Sequence, residues 1–152
     1  MQHKKGNVLK ATETMIAHGC NCQGVMGSGV AKQVKKHYPR AYDKYKEITP
    51  DNNLIGKIQP VPIYPNKDTT EPFDKIIVNC FTQIYYGKNH KEFNYNKFKE
   101  IAKKIAGLAS KYYFDVALPR IGAGRGKGNW KKIEKILKKA ENNRFKFVVY
   151  TL

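Results

Sequence analysis

Short apolar runs alternate with lysine-flanked amphipathic segments along this chain, and that alternation leaves few folds open. "TMIAHG" (14–19) is an apolar run of strand length that ends in glycine. Val30, Val34 and Tyr38 then recur at helical spacing until Pro39 interrupts, and "RAYDKYKEI" carries Ala41, Tyr45 and Ile48 on one side of a second helix. "IGKIQPVPIY" reads as a strand whose two prolines put it at a sheet edge. "KIIVNCFT" (75–82) has the pattern of a buried strand. From Asn94, a suitable N-cap, Tyr95, Phe98, Ala102, Ile105, Ala109 and Tyr112 form a stripe with Lys97, Lys99, Lys103 and Lys104 outside it. "FDVALP" is a short strand that stops at Pro119. Asn129 caps a helix that turns Trp130, Ile133, Ile136, Leu137 and Ala140 inward, and "FKFVVYTL" closes the chain as a strand. Strands alternating with helices predict an α/β layered fold with a mainly parallel sheet, in which ligands bind beyond the carboxyl ends of the strands.

The length of 152 residues and a hydrophobic fraction of 41% suit one domain with one core, and no low-complexity linker divides the chain, so residues 1–152 are expected to form a single domain. No apolar run approaches the roughly 20 residues of a membrane span, and "MQHKKGNVLK" has no apolar signal region. The three cysteines, two of them one residue apart, do not form a disulfide framework. These features predict a soluble, cytoplasmic protein with no membrane partner. The charge is the unusual quantity: 29 Lys and Arg against 12 Asp and Glu give +17. Such a field attracts nucleotides or nucleic acid, and it serves equally as a solubilising coat on exposed helix faces. Lysine far outnumbers arginine, which weakens the case for base-reading contacts.

Two glycine loops stand at the predicted carboxyl ends of strands, "GVMGSGVA" (24–31) and "RIGAGRG" (120–126), each before a helix. Glycine admits positive φ and lets a ligand reach the backbone, and a loop entering a helix points free N–H groups at an anion. Each loop is also what a tight strand-to-helix turn requires. Neither is followed by Gly-Lys-Ser/Thr, and neither sits in G-x-G-x-x-G with an acidic residue about 20 positions on, so neither a P-loop nor a dinucleotide site is expected.

Cys20 and Cys22 lack the C-x2–4-C spacing of structural zinc, and only Cys80 and the histidines at 3, 18, 37 and 90 remain as ligands. Neither a metal site nor a cofactor is expected. His18 stands next to the cysteine pair, but small buried side chains at a strand end are the expected role of these thiols.

Taken together, "KGNVLKA", "IAHGCNCQGVMGSGVAKQVKKHYP", "VNCFTQ", "LPRIGAGRGKGNWKKIEKIL" and the terminal "VVYTL" resemble the macrodomain family of ADP-ribose-binding proteins over nearly the whole chain. The likeness is greatest to the branch of ADP-ribose 1″-phosphate phosphatases, whose first loop carries an H-x-C-N-C-type strand end. It implies a three-layer α/β/α fold around a central mixed, mostly parallel sheet. It also implies ADP-ribose or ADP-ribose 1″-phosphate as ligand. By this resemblance Gly6, Asn7 and Val8 lie at the adenine, with the Asn7 carbonyl accepting from its amino group. Gly19, Cys20 and Asn21 lie along the distal ribose, Asn21 bonding its hydroxyls. Met26, Gly27, Ser28, Gly29, Val30 and Ala31 wrap the diphosphate on one side, and Ile121, Gly122, Ala123, Gly124, Arg125, Gly126 and Lys127 on the other.

The branch that removes ADP-ribose by a lysine mechanism carries a Lys after the central strand and an Asp in the second loop; Gln83 and Gly126 stand here instead. No carboxylate occupies either loop, the nearest in sequence being Glu13 and Asp115. The reading that follows is hydrolysis of the terminal phosphate of ADP-ribose 1″-phosphate, with His18 as proton-transfer group beside Asn21, because imidazole titrates near neutrality. His90 is a second candidate, and Arg125 or Lys127 would counter phosphate charge. The alternatives are a non-catalytic ADP-ribose reader, a hydrolase that removes ADP-ribose from protein or nucleic acid, and a nucleic-acid-binding protein acting through its basic surface. A structural role for His18 also stays open at this point.

Overall fold

A computed structural model describes residues 1–65, 72–86, 93–124 and 127–152. Its strands are β1 (Gln2–Lys5), β2 (Met15–Asn21), β3 (Ile58–Ile63), β4 (Lys75–Gln83), β5 (Val116–Leu118) and β6 (Phe147–Thr151). Its helices are α1 (Gly29–His37), α2 (Pro39–Ile48), α3 (Tyr95–Tyr112) and α4 (Trp130–Ala140). The strands lie in the order β1-β6-β5-β2-β4-β3; every neighbouring pair is parallel except β3 with β4.

Period-two alternation along β2 divides the core. Met15 and Ala17 join Val78, Leu118, Phe98, Ile101, Ile105, Ile133 and Leu137 under α3 and α4. Ile16 joins Ile77, Ala117, Val34 and Ala41 under α1 and α2. The sheet is therefore covered on both faces, giving the expected three layers. Each fully buried aliphatic side chain here stabilises the fold by about 1.5–3 kcal/mol, which is why the central strands are almost purely apolar.

Element boundaries follow local chemistry. Asn94 caps α3 through Oδ1, which accepts from the Lys97 N–H at 3.0 Å. Asn129 caps α4 in the same way, accepting from Lys131 at 3.0 Å and Lys132 at 3.4 Å. Pro39 opens α2 at its first position, where a missing N–H costs nothing. β2 runs two residues past the expected "TMIAHG" because Cys20 and Asn21 keep pairing with β4, across an irregularity between them.

β3 is the antiparallel edge strand. Gln59, Val61 and Ile63 face β4 across paired positions, and Pro60 and Pro62 occupy the alternate positions whose N atoms point away from it. At the opposite edge β1 is short, exposed and cationic, with His3, Lys4 and Lys5 in four residues. Its pattern has no apolar alternation, so nothing in the sequence announced it.

Candidate functional site

Strands β2 and β5 are neighbours, and the chain leaves their carboxyl ends in opposite directions. After β2 it passes to α1, on the face that holds Val34 and Ala41; after β5 it passes to α4, on the face that holds Ile133 and Leu137. Diverging connections of this kind open a crevice at the strand ends. Both glycine loops rise there. Gly19 shows how closely they meet, since a Cβ built on it would come within 2.9 Å of Thr82 Oγ1 and 3.4 Å of the Ile121 side chain.

In the first loop, anchors alternate with exposed backbone. Cys20 and Met26 turn inward and pack with Cys22, Tyr45 and Phe81. Asn21 organises the turn: Nδ2 donates to the Val25 carbonyl at 2.7 Å, while Oδ1 accepts from the Gln23 N–H at 3.0 Å. The buried Tyr45 hydroxyl lies 2.8 Å from both the carbonyl and the side-chain oxygen of Asn21, and it accepts from the Gly24 N–H at 3.1 Å. Burial first of all pushes the Tyr45 phenol up, so it stays a neutral donor. Beyond these anchors Gly27, Ser28 and Gly29 are exposed, and α1 begins at Gly29 with φ +60° and no atom within 4 Å of where a Cβ would stand.

The second loop follows the same plan. Ile121 is buried at 4% exposure and ties the loop to the core. Gly122 has φ +78°, and a Cβ there would run into the Phe93 ring. Its carbonyl accepts from the Gly128 N–H at 2.6 Å, closing the loop on itself. The Ala123 N–H is turned back to the Arg120 carbonyl at 3.3 Å. Gly124 is exposed with open space at its Cβ position, and Lys127 is exposed with φ +59°. Arg125 and Gly126 lie outside the described residues, as does His90.

Just after β1, Asn7 is exposed and its Oδ1 accepts from the Leu9 N–H at 2.9 Å, capping a short 3-10 turn (Val8–Lys10). The second lone pair of that oxygen remains available. The Gly6 N–H is bonded to the Thr151 carbonyl at 2.7 Å, and Val8 is buried, so Val8 offers a ligand its backbone alone.

One sequence expectation needs correction. His18 has no exposed surface: it points into the layer under α1 and α2, with Nε2 2.6 Å from Asn79 Oδ1. Asn79 Nδ2 in turn donates to the Ala41 carbonyl at 3.1 Å and to Gln59 Oε1 at 3.0 Å. Burial depresses the imidazole to about 4, against a smaller opposite effect of the Asn79 bond, so His18 is neutral at physiological pH. Alternation sends it away from the crevice, and it is a structural histidine, not the proton-transfer group. Asn21, beside it in sequence, holds the turn through both atoms of its side-chain amide. The thiols beside them are inert: burial pushes Cys22 up to about 11 and Cys80 up to about 12.

No carboxylate reaches the crevice from the sequence neighbours named above. Glu13 precedes β2 and Asp115 precedes β5, at the amino ends of these strands, where Asp115 pairs with Lys146 at 3.2 Å. Gln83 spends its Nε2 on the Tyr85 carbonyl at 2.8 Å. Among the described residues no cluster of three His, Cys, Asp or Glu is placed to hold a metal ion, and no helix is long and apolar enough to cross a membrane.

The Macro domain family model matches residues 17–137, from the middle of β2 to the last turns of α4, and so takes in both loops. The chain belongs to the Macro domain family. This macrodomain is 29% identical over 178 aligned positions to the ADP-ribose 1″-phosphate phosphatase of Saccharomyces cerevisiae, covering 97% of this chain and 96% of that protein. It is 28% identical to the DNA ADP-ribosyl glycohydrolase of Thermus aquaticus, where 90% of this chain aligns with 36% of the larger protein. In fold, the macrodomain of Mycobacterium tuberculosis DarG superposes with a TM-score of 0.81 at 24% identity, covering 99% and 97% of the two chains.

Proposed function

We propose that this macrodomain binds ADP-ribose in the crevice between β2 and β5 and hydrolyses the terminal phosphate of ADP-ribose 1″-phosphate, releasing ADP-ribose and phosphate. The observation that carries the binding reading is the divergence of the two connections, which sets exposed glycine backbone on both sides of one crevice. The exposed backbone of Gly27 and Gly29, the first turn of α1 at Val30 and Ala31, and the exposed Gly124 then supply donors to the diphosphate, and the start of α1 adds its dipole. Asn7 accepts from the adenine amino group through the free lone pair of Oδ1. Lys127 adds positive charge where phosphate oxygens gather.

The phosphatase reading is supported by extent. The yeast phosphatase aligns with this chain nearly end to end, whereas the glycohydrolase aligns over a third of its own length. Hydrolysis on this scaffold rests on positioned water and oriented backbone dipoles, since His18 is sealed in the core. The sealing of His18 and the glutamine at position 83 equally favour a second reading, a module that holds ADP-ribose without turning it over.

Calorimetric titration with ADP-ribose, followed on the same sample by phosphate release from ADP-ribose 1″-phosphate, tests both parts. Micromolar binding with turnover is expected. Binding without turnover selects the holding module, and no binding rejects the crevice altogether.

A further inference from the structure

A second feature lies on the outer surface of the α3/α4 layer. Between these helices runs a depression of about 380 Å³ lined by Tyr95, Lys99, Lys132, Lys135, Ile136 and Lys139. Lys132, Lys135, Ile136 and Lys139 follow one another at i, i+3, i+4 and i+7, a single stripe about 10 Å long on α4. Tyr95 and Lys99 face them from α3 at i, i+4. The four lysines are exposed, and none has an acidic partner among the described residues. The acids of these helices are engaged on the flanks: Glu100 with Lys97 at 3.5 Å, and Glu134 with Lys138 at 3.3 Å and His3 at 3.1 Å. The floor is apolar, made by Ile136, the Tyr95 ring and the lysine stems. Lys132 Nζ stands 5.3 Å from the Tyr95 ring centroid, and the Tyr95 hydroxyl accepts from the Asn129 N–H at 2.9 Å, directly after the second glycine loop.

We propose that this groove binds single-stranded nucleic acid, its phosphates on the four lysines and a base on the face of Tyr95 in place of the Lys132 ammonium. Charge complementarity requires a polyanion. A duplex presents its phosphates outward and would leave the apolar floor and the aromatic ring unused, whereas an unpaired strand supplies both backbone charge and exposed base faces. The site is independent of the activity proposed for the crevice.

Fluorescence anisotropy with labelled oligo-dA and oligo-dT of about 12 nucleotides, over a salt series, tests it. With four phosphates neutralised, the logarithm of the affinity should fall with log salt at a slope of about −3. Lys135→Gln with Lys139→Gln should flatten that slope by about 1.4 and weaken binding at least tenfold. Lys35→Gln with Lys36→Gln, an equal charge loss on α1, should change affinity less than threefold. Tyr95→Leu should weaken binding about tenfold, and Tyr95→Phe, which keeps the ring, should not. ADP-ribose titration of each variant reports whether the neighbouring loop is intact. Equal losses in the α3/α4 and α1 lysine pairs would overturn the groove in favour of the general field of a +17 protein. Equally tight binding of a duplex, or of poly-glutamate, would overturn the nucleic-acid assignment.

Discussion

His18 Nε2 and Asn79 Oδ1 meet at 2.6 Å with both side chains fully buried, and Asn79 passes the contact on to α2 and β3 through Ala41 and Gln59. Burial of the pair disfavours the charged imidazole, and the bond to Asn79 offsets only part of that cost. The unfolded histidine titrates at about 6.5 and the folded one at about 4, so between these values the unfolded state binds the extra proton. The contribution of His18 to stability is complete above pH 6.5 and is lost as pH falls towards 4. It amounts to about 3 kcal/mol. Chemical denaturation at a series of pH values should show that loss, and His18→Gln should flatten it. His18→Ala should lower thermal stability while phosphate release, at temperatures where the variant is folded, stays within a fewfold of wild type. A loss of turnover of 10² or more in folded His18→Ala protein would contradict this assignment.

The exposed Gly124 and the packed Gly122 of the second loop should behave differently. Gly124→Val meets no atom in the fold, so the melting temperature should hold while ADP-ribose binding falls below detection, because the side chain stands in the phosphate path. Gly122→Ala drives a Cβ into Phe93 in a left-handed backbone region, and it should lower stability and affinity together. Unchanged ADP-ribose affinity in Gly124→Val would remove the second loop from the site.

In the proposed binding mode Asn7 joins two duties in one oxygen, the cap on the Leu9 N–H and the contact to adenine. Asn7→Ala should cost about 1 kcal/mol through the lost cap and should weaken ADP-ribose more than ribose 5-phosphate. Asn7→Asp keeps an acceptor for both duties and should restore affinity. Calorimetry with the two ligands separates these outcomes; equal weakening of both would make Asn7 a turn residue only.

The buried thiols should be silent. Cys22 and Cys80, pushed up by burial, carry almost no thiolate at neutral pH, so iodoacetamide should label the protein only after unfolding. Mass spectrometry after timed exposure measures this. Rapid labelling of native protein would show that the Cys20–Cys22 segment opens.

The helices and most strands were legible because their signals are local: the stripe from Tyr95 to Tyr112, the caps at Asn94 and Asn129, the prolines that confine β3 to an edge. Both glycine loops were legible too, as turns between a strand and a helix where positive φ is needed. The orientation of His18 was not. A histidine two residues after Ile16 reads as site chemistry, and only the knowledge that even positions of β2 face α1 and α2 sends it into the core. The work of Asn21 was equally hidden, because Tyr45 reaches it from a helix 24 residues away in sequence. β1 escaped notice for a related reason: its place depends on pairing with β6 at the far end of the chain.

The prolines of β3 have a further consequence. With Pro60 and Pro62 on the outward set, that margin offers carbonyls without the alternating donors a seventh strand would need, and the other margin repels like-charged neighbours through His3, Lys4 and Lys5 when protonated. Sheet growth is thereby refused at both ends. Pairing of two such sheets edge to edge is therefore disfavoured at either margin.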